Sequence, residues 1–189
     1  MDMKSGKRLT LDIDQCTGCR CCALACSYIK TGSYNTDDNC IPVLQFEESG
    51  VDCPVFCQQC EEPRCVEACP TNAMHRSPQS GLIDIADEKC DGCGACLAAC
   101  PYGAITAAPT GYRRNGQVMK CDLCGGKPEC VEWCETGAIR YAGADETTAI
   151  EKSRTDMLMA KKRYEIEHGV SLWRLRLRGR RVSTRKGRK

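Results

Sequence analysis

Apolar residues along this chain come in short, broken runs. Leu11-Asp-Ile-Asp14 and Leu82-Ile-Asp-Ile85 mix apolar and acidic positions in the manner of half-buried strands. Pro70-Thr-Asn-Ala-Met74, Pro101-Tyr-Gly-Ala-Ile105 and Glu135-Thr-Gly-Ala-Ile139 each read as a short turn entering a β-prone residue. The spacing predicts a repeated unit of strand, loop, short helix, turn and strand. From Asp145 to His168 the composition shifts to Glu, Lys, Ala, Met and Leu, which are good helix formers. Ile150, Met157, Ala160 and Tyr164 recur there on one helical face. Thr147 or Asp145 is placed to cap this helix and Gly169 to end it. Packing across the chain's own core is the expectation for that face, with docking to a partner as the alternative.

The loops between these elements are filled with cysteine. Sixteen of the nineteen cysteines form four quartets: Cys16-Cys19-Cys22-Cys26, Cys57-Cys60-Cys65-Cys69, Cys90-Cys93-Cys96-Cys100 and Cys121-Cys124-Cys130-Cys134. The first and third have the gaps of two, two and three residues that bacterial ferredoxins use to hold cubane iron–sulfur clusters. The second and fourth widen the middle gap to four and five residues. Structural zinc sites usually join two separated pairs into one tetrahedron, whereas here each quartet crowds into a single loop. A disulfide scaffold is disfavoured by the odd cysteine count and by an N-terminus, Met1 to Arg8, without an apolar signal segment. Sixteen thiolates are the full ligand set of four [4Fe–4S] clusters.

Three thiolates of a tight loop wrap three corners of a cubane, and in two-cluster ferredoxins the fourth cysteine of each run ligates the other cluster. Gly18 and Gly92 precede the second cysteines of their runs, where a residue without Cβ permits a tight turn and close approach of backbone N–H groups to sulfur. The runs could pair sequentially, or in nested fashion with the second and third enclosed by the first and fourth. Pro70 and Pro101, which follow Cys69 and Cys100, favour nesting; the alternating middle gaps favour sequence order. Spacing leaves both open.

Three stretches carry a resemblance over residues 8–144: Cys-Thr-Gly-Cys-Arg-Cys-Cys-Ala-Leu-Ala-Cys (16–26), Cys-Gln-Gln-Cys-Glu-Glu-Pro-Arg-Cys-Val-Glu-Ala-Cys-Pro (57–70) and Lys-Cys-Asp-Leu-Cys (120–124). They resemble the four-cluster iron–sulfur electron-transfer subunits of the DMSO reductase and formate dehydrogenase type. The resemblance implies an α+β fold of two nested ferredoxin-like modules over 8–144, the inner over about 53–112. Composition and charge add a helix over 145–169 and a basic tail over 170–189. The resemblance also implies one outer cluster on Cys16, Cys19, Cys22 and Cys134 and another on Cys121, Cys124, Cys130 and Cys26. The inner clusters would take Cys57, Cys60, Cys65 with Cys100, and Cys90, Cys93, Cys96 with Cys69. The loops Cys57–Cys60 and Cys121–Cys130 are further similar to small subunits serving tungsten enzymes of the aldehyde ferredoxin oxidoreductase type, including tungsten-dependent benzoyl-CoA reductase. Glu135 stands where family members often have proline. The implied role is a non-catalytic subunit passing single electrons between a tungsten or molybdenum partner's active-site cofactor and an external carrier. A free polyferredoxin and a redox-sensing scaffold are the alternatives.

Cys21, Cys40 and Cys53 lie outside the ligand count and read as small buried hydrophobes. His75 and His168 have no partners at metal spacing, and Cys124-Gly-Gly-Lys lacks the rest of a phosphate loop. The formal charge of +2 hides a division: nine Lys or Arg fall in 172–189, leaving 18 basic against 25 acidic residues over 1–171, a net −7. Trp173, Leu175 and Leu177 alternate with Arg174, Arg176 and Arg178, a period that predicts a short strand. Residues 172–182 are expected to order against a neighbouring subunit, either the partner or another copy of this chain, with a solvated tail as the alternative; nucleic acid fits poorly. No apolar run approaches the roughly 20 residues of a membrane span, and a reducing cytoplasm suits the thiols. Aromatics are 5%, so much of the folding energy must come from metal binding, and the metal-free chain is expected to be largely unfolded.

Overall fold

Strands of two to four residues are too short to build one broad sheet, and here they pair off instead. A computed structural model describes residues 6–46, 50–108, 118–169, 171, 172 and 174. In chain order the elements are β1 (Arg8–Leu11), α1 (Cys21–Thr31), β2 (Val43–Phe46), β3 (Val51–Pro54), α2 (Arg64–Glu67), β4 (Met74–Arg76), β5 (Ile83–Ile85), α3 (Ala95–Ala99), β6 (Thr106–Ala107), β7 (Val118–Met119), α4 (Glu129–Glu132), β8 (Ile139–Ala142) and α5 (Thr147–Glu167). All four ladders among the described residues are antiparallel pairs: β1 with β8, β2 with β3, β4 with β5 and β6 with β7. The β1–β8 pair sets Arg8 opposite Ala142 and Leu11 opposite Ile139, so the first strand meets the last across the intervening loops.

The repeat is visible in the helices. Each of α1 to α4 contains the third cysteine of its run: Cys22, Cys65, Cys96 and Cys130. The turns after the second, third and fourth runs feed β4, β6 and β8. One strand boundary differs from the sequence reading. β1 ends at Leu11, and Ile13–Gln15 form a 3-10 turn. The apolar–acidic alternation of Leu11–Asp14 therefore delivers the chain into the first cysteine loop instead of extending a strand.

α5 packs across the chain's own core, against β1, β2 and β3. It buries Ile150, Ser153, Met157 and Ala160, and Tyr164 meets Phe46 edge-on with ring centroids 6.1 Å apart. Ser153 is the member of this face that apolar periodicity does not reveal: its Oγ accepts the Leu11 N–H at 2.9 Å. The start of α5 also differs from expectation. Thr147 is its first helical residue, and the flanking Glu146 accepts the Gly143 N–H at 2.8 Å. Gly169, with φ +60°, follows the helix as expected. Leu172 is buried against Gly103, whose positive φ and missing Cβ admit its side chain. Arg174 is helical, its N–H bonded to Ser171 O at 2.9 Å, so the alternating strand does not begin there. Trp173, Leu175 and Leu177 lie outside the described residues.

Candidate metal centres

The sixteen quartet cysteines face one another in four groups drawn from different runs. One cavity is lined by Cys16, Cys19 and Cys22 together with Cys134. A second is lined by Cys90, Cys93 and Cys96 together with Cys69. The cysteines that act most strongly on Cys130 are Cys121, Cys26 and Cys124. Those that act most strongly on Cys65 are Cys57, Cys100 and Cys60. Each group thus holds three cysteines of one loop and the fourth cysteine of another.

Neighbours between groups arrange them in a row. Cys130 also feels Cys22, Cys121 feels Cys57, and Cys96 feels Cys65. The groups therefore follow in the order of Cys16, Cys121, Cys57 and Cys90. Of the nineteen cysteines two are exposed, Cys19 and Cys93, and they belong to the two end groups.

Backbone amides converge on the sulfurs. The fourth cysteine of every run accepts one N–H: Cys26 from Cys40 at 3.3 Å, Cys69 from Met74 at 3.4 Å, Cys100 from Ala104 at 3.3 Å and Cys134 from Ile139 at 3.4 Å. In three runs the donor lies just after the quartet: Ala104 in the turn before β6, and Met74 and Ile139 as the first residues of β4 and β8. The first run has no such turn, because α1 continues to Thr31, and Cys40 supplies the amide instead. Its thiol also hydrogen-bonds to Cys26 and lowers the pKa of that cysteine. Cys40 is fully buried in the apolar core, as expected of a small hydrophobe, and it also faces the Cys26 sulfur. Cys53 is fully buried in β3, where burial pushes its thiol up to about 12, as expected of a small apolar residue. Cys21 bonds to Cys19, and its amide is the main cause of that thiol's lowered pKa.

Gly18 and Gly92 have φ of +68° and +76°. A Cβ on Gly18 would strike the Asp52 carboxylate. His75 and His168 engage the carbonyls of Ala73 and Tyr164, at 3.1 and 2.9 Å, and take no part in the cysteine groups.

Burial pushes the thiols of Cys22, Cys65 and Cys96 up to about 12, and it raises Cys16, Cys60, Cys100, Cys121, Cys124 and Cys130 as well. Like charges inside each group add to that rise. Sulfurs gathered in this way hold their protons until iron charge replaces them. Among the described residues no three His, Cys, Asp or Glu side chains close on a point as a single metal ion requires. Four soft thiol donors ringing a void, with N–H groups aimed at sulfur, are the donor set that a [4Fe–4S] cluster takes.

Comparison with known proteins agrees. The 4Fe-4S dicluster domain family matches residues 50–144. The protein belongs to that family. The polyferredoxin-like subunit of an aliphatic sulfonate oxidoreductase from Pyrococcus furiosus is 42% identical over 121 residues, covering 64% of this chain and 67% of that one. A subunit of the anaerobic dimethyl sulfoxide reductase of Escherichia coli is 32% identical over 162 residues, covering 72% and 73%. The iron–sulfur subunit of the nitrate-inducible formate dehydrogenase of Escherichia coli is 28% identical over 186 residues, covering 85% of this chain and 62% of its own length. Among solved structures, the active-site complex of benzoyl coenzyme A reductase with zinc matches at 22% identity and a TM-score of 0.41, covering 87% of this chain and 92% of that one.

Two further features of this protein escape a reading of spacing. Lys30, at the end of α1, grips Asp122 at 2.5 and 2.7 Å. Burial works against the Lys30 charge, but that carboxylate more than offsets it and raises its pKa. Lys120 and Gln59 are buried between the second and fourth cysteine loops, at 6% and 1% exposure. No helix among the described residues is long and apolar enough to cross a membrane.

Proposed function

We propose that this chain is the electron-transfer subunit of a multi-subunit oxidoreductase and that it binds four [4Fe–4S] clusters within two nested modules over 8–144. The observation that carries this reading is the row of four cysteine groups whose exposed members, Cys19 and Cys93, stand at opposite ends. The ligands are Cys16, Cys19, Cys22 and Cys134; Cys121, Cys124, Cys130 and Cys26; Cys57, Cys60, Cys65 and Cys100; and Cys90, Cys93, Cys96 and Cys69. When bound, such clusters supply one-electron redox chemistry. The chain's own work is to hold them, to bury the two middle ones, and to aim amides at the sulfur of each fourth cysteine. It carries no acid, base or nucleophile for a substrate.

The partner is a tungsten or molybdenum oxidoreductase, supported by the likeness of the Cys57–Cys60 and Cys121–Cys130 loops to small subunits of that kind. The setting is a reducing cytoplasm, supported by nineteen unpaired thiols. Anaerobic purification under gentle conditions tests both parts. About 16 iron and 16 sulfide per chain are expected, with a large companion containing tungsten or molybdenum. Stoichiometric zinc would overturn the cluster reading. A lone monomer with full iron would overturn the subunit reading only.

A further inference from the structure

At the middle of the row, where the second and fourth cysteine loops meet, the structure buries a lysine. Lys120 is 6% exposed. Its Nζ donates to the carbonyl of Cys121 at 2.8 Å and to that of Ile83. Gln59, 1% exposed, closes the same set: its Nε2 donates to Cys121 O at 3.0 Å, and its Oε1 accepts from Ile83 N at 2.7 Å. Gln59 adopts a left-handed backbone at φ 46° to do so, a conformation that a side chain with Cβ rarely takes and that surrounding bonds must hold. Two side chains thus tie Ile83 of β5 to the main chain of Cys121.

A buried ammonium is costly unless an opposite charge faces it. Both hydrogen bonds of Lys120 end on neutral carbonyls. The carboxylate that feels it, Asp122, is clasped by Lys30. Among the described residues, what remains on either side is sulfur. Lys120 Nζ sits on the Cys121 carbonyl at 2.8 Å, and Gln59 of the Cys57 loop bonds that same carbonyl. The ammonium therefore lies where the two groups meet, within electrostatic reach of Cys121 and Cys65. Other cations act on one group each: Arg8, Arg76 and Arg154 crowd near Cys60, and Lys30, held by Asp122, acts on Cys26 and Cys124. Lys120 differs in being buried and in facing two groups at once.

We infer that Lys120 is a positioning residue and shared counter-charge for the two middle clusters, raising the reduction potential of both and so setting the central step of the row. This rests on the four-cluster reading above. A cluster with four thiolates carries about two negative charges when oxidised and one more when reduced, so a fixed cation between two clusters favours the reduced form of each. Gln59 holds the ammonium's two acceptors in place.

The experiment is an anaerobic redox titration of the purified protein, followed by EPR, for the unaltered chain, Lys120→Gln and Lys120→Arg, with iron counted in each. In Lys120→Gln, two of the four potentials should fall. The ratio of reduced to oxidised cluster at fixed potential should drop about tenfold, which is about 59 mV for one electron. Lys120→Arg should restore both. Four unchanged potentials at full iron, or four that shift alike, would overturn the inference and leave the four-cluster reading standing. A count well below about 16 iron in the unaltered chain would instead sink that reading. If Lys120→Gln loses iron, Gln59→Glu carries the test: a carboxylate beside the Cys121 carbonyl that Lys120 also bonds should lower the same two potentials. If neither variant retains iron, the seam is structural and the inference falls.

Discussion

Removing cysteines in pairs tests which loops share a cluster. The geometry groups Cys134 with Cys16, Cys19 and Cys22, not with the loop mates Cys121, Cys124 and Cys130 that precede it in the chain. If each group of four holds one cluster, replacing Cys16 or Cys134 by alanine removes one cluster, about 4 of about 16 iron. The double variant Cys16→Ala/Cys134→Ala then loses no more than either single, because both changes strike the same site. Cys124→Ala/Cys134→Ala strikes two sites and loses about 8. A self-contained fourth loop reverses the pattern: the first double loses about 8 and the second about 4. The gap between outcomes is a whole cluster, far larger than the error of iron and sulfide analysis on protein purified without oxygen. A loss that is additive in Cys16→Ala/Cys134→Ala and shared in Cys124→Ala/Cys134→Ala would refute the grouping.

Ser153→Ala leaves the buried Leu11 N–H without its 2.9 Å acceptor, at a cost of about 1–3 kcal/mol. For a chain of this size that corresponds to about 2–4 °C of melting temperature per kcal/mol. Anaerobic thermal melts read it, and an unchanged melting temperature would show that β1 does not depend on α5 for that bond. Cys40→Ala removes the thiol donor to Cys26 while keeping the main-chain N–H at 3.3 Å. Iron should stay complete and one potential of four should fall, by about 59 mV if the lost donor is worth a factor of ten. Loss of a whole cluster instead would make Cys40 a ligand.

The quartets, the glycines that let their loops turn, and the repeated turn before β4, β6 and β8 were all legible along the chain, because each is a local demand of cluster chemistry on backbone shape. So was the buried face of α5, apart from Ser153. A serine breaks an apolar period, and its reason, the Leu11 amide, lies 142 positions away. Lys120 and Gln59 were hidden for the same cause. Polar residues between cysteines look solvent-facing until the fold shows that two loops close over them. The grouping of fourth cysteines is likewise long-range. Spacing fixes what three thiolates of one loop can reach, whereas the fourth depends on which loops meet.

The cysteines also explain how a chain with so few aromatic residues closes a core. Cys22, Cys26, Cys96, Cys100, Cys121 and Cys130 are buried in the same apolar cluster as Leu9, Phe56, Ile83, Met119 and Met157. As thiols they are small hydrophobes, and burial holds most of them protonated. As cluster ligands they would be thiolates, whose charge must then be met from within. The structure meets it in graded fashion. Amides reach the fourth cysteine of every run, the Cys40 thiol reaches Cys26, and Lys120 stands between the two groups farthest from solvent. Cys19 and Cys93, at the ends, are open to solvent and to whatever docks there. Exposure therefore follows position along the row, with the two solvent-open cysteines at its ends and a buried cation at its middle.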